Sequence, residues 1–219
     1  MGPLAPNQRE YLHTVHTNAL RLLKLINNLL DLAKLEDGKM SLRYRRYDLG
    51  SFIREVVDSF AVNGEKRGIR IDAAGEDQLP EVYFDREKIE KVFINLIGNA
   101  MKFMPDGGTL WIRWEREGEA VRMSVRDTGP GLPEESLERI FDRFVQVDES
   151  SSRQYGGTGI GLSLAKEITE LHGGRIEAAN HPAGGAVFSL TLPLQEREGE
   201  VELEILYAPF HLGVFVPAV

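Results

Sequence analysis

The chain has 219 residues, 42% hydrophobic and 27% charged, with a formal charge of −8 and no cysteine. This length suits one domain with an appendage, or two small domains. The acidic balance argues against a nucleic-acid binder, which needs a basic face for the phosphate backbone, and the missing cysteine excludes a disulfide framework, a thiol nucleophile and a cysteine zinc site. No run approaches the roughly 20 apolar residues that span a bilayer, and the opening "MGPLAPNQ" lacks the basic-then-apolar order of a signal peptide. A cytoplasmic domain is expected, with any membrane anchor of a longer parent lying outside this chain.

The first element is a long helix from Gln8 to about Glu36. Leu12, Val15, Ala19, Leu22, Ile26, Leu29 and Ala33 recur at alternating spacings of three and four, the seam of a coiled coil. Leu23 and Leu30 widen the seam, which suits a helical bundle; the plainer alternative is one amphipathic helix packed on its own domain. Gly38 is placed as a helix stop. "MSLRYRRYDL" then reads as a short strand, Leu49 to Arg67 as a helix and "GIRIDAA" as a strand. Asp85 to Met104 reads as a helix capped by Asp85. "GTLWIRWERE" and "AVRMSVRDT" alternate apolar and polar residues around a turn at Glu117 to Glu119, as in an antiparallel hairpin. A short helix near Pro133 to Ile140, a helix from Ile160 to Leu171 and the strands "GRIEAAN" and "GAVFSLTLPL" complete the order. The class is α+β, a mixed sheet with helices on one face. Beyond Leu194, Val201, Leu203, Ile205 and Tyr207 alternate like a strand with no evident place.

Four stretches carry chemistry. In "GGTGIGL" Gly157, Gly159 and Gly161 fall at every second position, which fits neither the dinucleotide fingerprint nor the P-loop. A flexible loop running into a helix N-terminus remains, where unpaired N–H groups and the dipole favour an anion; a structural turn is the alternative. In "DTGPGL" the Asp127 carboxylate can accept a hydrogen bond from an amino group such as adenine's, and Gly129 and Gly131 let a flat ring approach; alone, the motif equally describes a tight turn. In "EKVFINLIGNAMKF" Asn95 and Asn99 share a helix face and Lys102 lies one turn beyond. Asparagine is a poor helix-interior residue. Its neutral carbonyl suits Mg²⁺, which takes its remaining ligands from phosphates and water, although two asparagines also fit a solvated stripe. In "IFDRFVQVDESSSRQY" Phe141 and Phe144 are expected to anchor one end of a loop that Ser150 to Ser152 mark as unpacked.

In this order and spacing, the four stretches resemble the ATP-binding catalytic domain of the bacterial sensor histidine kinases. Asn95 to Lys102 looks like their N box, Asp127 to Gly131 their G1 box, Phe141 to Phe144 their F box and Gly157 to Gly161 their G2 box. The resemblance implies the Bergerat sandwich shared with gyrase, Hsp90 and MutL, over residues 41–194. It also implies ATP and Mg²⁺ as ligands. Asp127 would read adenine, Asn99 with Asn95 would hold Mg²⁺, and Lys102 would contact phosphate; Phe103, Thr158 and Leu162 complete the ATP-site set. Val145 to Tyr155 would be the lid, with Arg143 and Arg153 at its ends. Residues 1–40 resemble the second helix of the family's dimerisation and phosphotransfer hairpin, and residues 195–219 form a tail without a role.

One feature departs from the family pattern. A phosphoacceptor histidine is followed by an acidic residue, whereas His13 and His16 precede Thr, His172 precedes Gly, His181 precedes Pro and His211 precedes Leu. The chain therefore reads as a fragment, or a natural variant, with its acceptor histidine supplied in trans, a response regulator downstream and a homodimer through residues 8–36. Asn95 stands where the related ATPases place a water-activating glutamate, so hydrolysis is not favoured. The alternatives are a nucleotide-dependent interaction module without catalysis and a serine kinase of the anti-sigma type.

Overall fold

The structure is a computed structural model that describes residues 6–37, 40–77, 79–146, 159–194 and 199–202. The chain runs α1 (Pro6–Glu36), β1 (Ser41–Tyr47), α2 (Leu49–Lys66), β2 (Ile69–Gly75), β3 (Val82–Phe84), α3 (Arg86–Lys102), β4 (Gly108–Glu117) and β5 (Ala120–Arg126). After a single 3-10 turn, Glu134–Ser136, come α4 (Gly161–Leu171), β6 (Arg175–Asn180), β7 (Ala186–Pro193) and β8 (Gly199–Glu202). Five strands form a sheet in the order β2-β4-β5-β7-β6, in which only the β2–β4 pair is parallel. A second, antiparallel sheet has the order β3-β1-β8.

Period-two alternation gives the large sheet one apolar face. Leu110, Ile112 and Trp114 on β4, Val121, Met123 and Val125 on β5, and Phe188, Leu190 and Leu192 on β7 all point into the core. Against them lie Phe52, Ile53 and Val56 of α2, Ile89, Phe93, Leu96 and Ile97 of α3, and Leu164 and Ile168 of α4. Burying each such side chain is worth about 1.5–3 kcal/mol relative to leaving it in water. The opposite sheet face is polar, with Arg113 Nη1 2.9 Å from Asp72 Oδ1 and the Arg126 guanidinium 4.4 Å from the Trp111 ring centroid.

Capping sets where the helices begin. Asp48 caps α2 through the Ser51 N–H. Asp85 caps α3 by accepting from the Lys88 N–H at 3.1 Å, and its second oxygen accepts from the Arg43 N–H of β1 at 2.8 Å. The Asp85 N–H in turn donates to His172 Nε2 at 3.1 Å, and His172 Nδ1 lies 2.7 Å from the Ile168 carbonyl. An accepting Nε2 assigns the proton to Nδ1, so the buried His172 is a neutral strut between the end of α4 and the start of α3.

Three sequence expectations change. The helix near Pro133 to Ile140 is a 3-10 turn followed by further turns, since two prolines and two glycines just before it leave no helical run. The three-residue β3 is too short to show periodicity. Residues 199–202 of the tail form β8 against β1, while the rest of the tail and the Gly38 stop lie outside the described residues.

Candidate functional site

α3 presents the first group of side chains. Its Ile89, Val92, Phe93, Leu96 and Ile97 face the core, which leaves Asn95, Asn99 and Lys102 along the remaining stripe. Asn95 is only 8% exposed and Asn99 is half-buried, yet among the described residues neither side-chain amide has a hydrogen-bond partner. These two amides, one buried and one half-buried, lie four residues apart and can accept a ligand. Burial lowers the Lys102 ammonium below the ordinary lysine value, and its Nζ sits 4.9 Å from the centroid of the Phe103 ring.

Asp127 is placed where β5 ends and the "TGPG" turn begins. Its backbone N–H donates to the Ala186 carbonyl at 3.0 Å, and its Oδ1 accepts from the N–H groups of Gly129 at 2.8 Å and Ala186 at 3.2 Å. Among the described residues nothing donates to Oδ2. Burial pushes the carboxyl above its usual value, against the downward pull of those two N–H groups and of Arg126. The side chain is thus a fixed carboxylate with one oxygen committed and one open.

The glycines bring these groups together. A β-carbon on Gly129 would stand 3.1 Å from the Phe103 carbonyl oxygen, so the Asp127 turn closes directly on the end of α3. A β-carbon on Gly161 would stand 3.0 Å from Asn95 Oδ1, so the N-terminus of α4 meets the asparagine face. Leu162, the second residue of α4, is half-buried against the core. Gly157, Thr158 and Arg153 lie outside the described residues.

Phe141 and Phe144 part company. Phe141 packs edge-on to Phe188 at 6.3 Å between centroids, whereas Phe144 is 64% exposed. Phe144 contributes through its backbone: at φ 64° its N–H donates to the Gly159 carbonyl at 2.9 Å. Arg143 ties the same turn to Glu167 of α4 at 3.1 Å. Both ends of the segment between Phe144 and Gly159 are therefore joined at the foot of α4.

Other polar contacts escaped the sequence reading. Asn180 bonds both backbone groups of Leu132 beside the Asp127 turn; in "AANHPAGG" it reads only as a turn former. Lys91 Nζ pairs with Asp31 Oδ2 at 2.6 Å and joins α3 to α1. That pair, with Lys24, Asn27, Ile94 and Asn95, lines a groove of about 460 Å³ between the two helices. The spacing of Asp31 and Lys91 in sequence gives no signal for the contact.

Residues 84–196 match the family described as histidine kinase-, DNA gyrase B-, and HSP90-like ATPase, and the chain belongs to that family. Residues 1–38 match the His Kinase A (phospho-acceptor) domain, which sets the chain among the two-component sensor histidine kinases. It is 40% identical over 193 residues to hybrid signal transduction histidine kinase D of Dictyostelium discoideum, covering 86% of this chain and 12% of that protein. Full-length ShkA in complex with AMPPNP superposes with a TM-score of 0.76 at 28% identity, over 90% of this chain and 41% of that one. Histidine kinase ThkA in complex with the response regulator TrrA superposes with a TM-score of 0.72 at 27% identity, over 89% of this chain and 53% of the other. The chain spans between 11% and 38% of the length of eight of the curated relatives it matches. No described helix is long and apolar enough to cross a membrane.

Proposed function

We propose that the chain is the ATP-binding catalytic portion of a sensor histidine kinase, which binds Mg·ATP and delivers the γ-phosphoryl group to a histidine supplied in trans. The observation that carries this reading is the placement of the Asn95 and Asn99 amides and the open Asp127 Oδ2 together with the Lys102 ammonium and the N-terminus of α4. The neutral amide carbonyls fit a hard cation that arrives with its phosphates, and among the described residues no group of three His, Cys, Asp or Glu offers a competing metal cage. Asn99 with Asn95 would hold magnesium, which would supply charge neutralisation on the phosphates.

The chain's own residues do the rest. The Lys102 ammonium pairs with phosphate oxygens, the N–H groups opening α4 hold the anionic chain, and Asp127 Oδ2 accepts from the exocyclic amine of adenine. Gly129, Gly131, Gly157, Thr158, Gly159, Gly161, Leu162 and Phe103 would line the nucleotide. Phe141, Arg143, Phe144 and Arg153 would flank its lid. In the transfer, the acceptor imidazole nitrogen bonds to the γ-phosphorus as the bridging bond to the β-phosphate breaks and ADP leaves. With positioning and charge supplied, no further catalytic group is required. Asn95 cannot activate water, so transfer is favoured over hydrolysis.

We divide the chain into a hairpin helix at 1–40, a catalytic domain at 41–194 and a tail at 195–219, and place it in the cytoplasm, where ATP is. The exposed apolar seam of α1 supports a homodimer through residues 8–36, and a response regulator would take the phosphoryl group onward. The reading is tested by mixing the chain with γ-labelled ATP and a protein carrying the complete hairpin. Acid-labile, base-stable label on the added histidine is expected. Label found only as free phosphate would refute the kinase, and label on serine would establish the alternative chemistry.

A further inference from the structure

The β6–β7 hairpin lies outside the four sequence motifs, yet it holds the Asp127 turn at both ends. Asn180 and Ala186 face each other on the last rung of that ladder. From Ala186 the backbone grips Asp127 twice, as acceptor for its N–H at 3.0 Å and as donor to its Oδ1 at 3.2 Å. From Asn180 the side chain grips the far end of the turn twice: Oδ1 accepts from the Leu132 N–H and Nδ2 donates to the Leu132 carbonyl, both at 2.7 Å. Two glycines make room for this. Gly131, at φ 79°, lets Asn180 Oδ1 approach to where a β-carbon would stand 2.8 Å away, and a β-carbon on Gly185, at φ 85°, would collide with the Asp127 carbonyl. The hairpin turn is closed by its own bonds, His181 N–H to the Gly185 carbonyl at 2.9 Å and Ala183 N–H to His181 Nδ1 at 3.1 Å.

We propose that Asn180 is a positioning residue for purine selection: its two-way clamp on Leu132 fixes the turn that aims Asp127 Oδ2, and so sets the preference for a 6-amino purine over a 6-oxo purine. The proposal rests on the reading of Asp127 as the adenine acceptor. Asn180 does not touch the nucleotide. It acts through the backbone from Asp127 to Leu132, while Asn95, Asn99, Lys102 and α4 at the phosphate end stand on separate elements. Loss of the clamp therefore acts at the base end and spares the triphosphate end. Asn180 is itself exposed, so truncating it leaves no buried cavity.

The experiment is calorimetric titration of the full chain and its Asn180→Ala variant with Mg·ATP and with Mg·ITP, whose 6-oxo group cannot donate to Asp127. Removing the two-way clamp is expected to weaken ATP about fivefold, with ITP affinity unchanged and the free chain still cooperatively folded. Gly131→Ala, which disrupts the same contact from the other side, should cost less in the Asn180→Ala background than alone. Equal weakening of both nucleotides, unaltered ATP affinity or full additivity with Gly131→Ala would each overturn the proposal. A wild-type chain without preference for ATP over ITP would instead refute the adenine reading of Asp127, a result separable because it involves no variant.

Discussion

α1 and α3 carry the same kind of apolar spacing, and the structure treats them in opposite ways. Ile89, Val92, Phe93, Leu96 and Ile97 of α3 are sealed against the sheet. In α1, Leu12, Val15, Leu22, Ile26 and Leu29 stay exposed, and only Leu32 and Leu35 near its end are buried. A helical stripe thus records that a partner surface exists, not that the same chain supplies it. For α3 the partner is the sheet, and its polar remainder is the face proposed to meet the ligand. For α1 no described residue covers the seam from Leu12 to Leu30.

The sharpest break of this contrast is a pair of equal truncations. Leu96→Ala, at a fully buried position, is expected to destabilise the sandwich by about 3 kcal/mol, whereas Leu22→Ala should leave its thermal unfolding unchanged. Equal melting temperatures for the two variants would mean that α1 is part of the core. On the polar side of α3, Asn99→Ala should weaken Mg·ATP by about a hundredfold without a change in melting, read by calorimetry. Intact affinity would move the metal site elsewhere. On the apolar side of α1, Leu22→Glu with Leu29→Glu should turn a dimer into a monomer in light scattering, because the seam then carries like charges. A wild-type chain already monomeric at high concentration would overturn the dimer.

How much of this was legible in sequence depended on periodicity and caps. The alternation in "AVRMSVR" gave β5 and its buried face, and Asp85 gave the start of α3, because both signals are local. The spacing of Asn95, Asn99 and Lys102 is also local, so their shared face could be read directly. The open Oδ2 of Asp127 could not, since it depends on Ala186 committing Oδ1 from a strand distant in sequence. Nor could the different fates of Phe141 and Phe144. Their spacing is helical, but the chain there makes turns, and the left-handed backbone at Phe144 sends its ring to solvent.

Asp127 adds a smaller effect with a definite sign. Burial raises its carboxyl above the unfolded value of 3.8, so between that value and the folded one the folded chain holds more protons than the unfolded chain. Its contribution to the stability of the free chain is therefore present at low pH and lost as pH rises through that window. In the proposed role Asp127 accepts from adenine in its ionised form, so ATP affinity should fall as pH drops through the same window. Asp127→Asn should flatten both profiles, weaken ATP and leave the free chain no less stable. A variant that loses stability at neutral pH would contradict the sign.

The smallest effect lies where the two helices meet. Lys91 Nζ and Asp31 Oδ2 are 2.6 Å apart, but the side chains are unequal, the lysine 43% exposed and the aspartate 13%. Solvent screens the pair, so its worth is about 0.5–1 kcal/mol. The inequality makes the two deletions unlike. Lys91→Met leaves a largely enclosed carboxylate without its cation, while Asp31→Asn leaves a lysine that solvent can serve. Lys91→Met should therefore loosen the end of α1 more than Asp31→Asn, and the double variant should recover most of the difference. Hydrogen exchange of the amides around Leu32 and Leu35 reads this directly, since the sandwich core stays protected throughout. Equal exchange in both single variants would show that Leu32 and Leu35, not the ion pair, fix α1 to the catalytic domain.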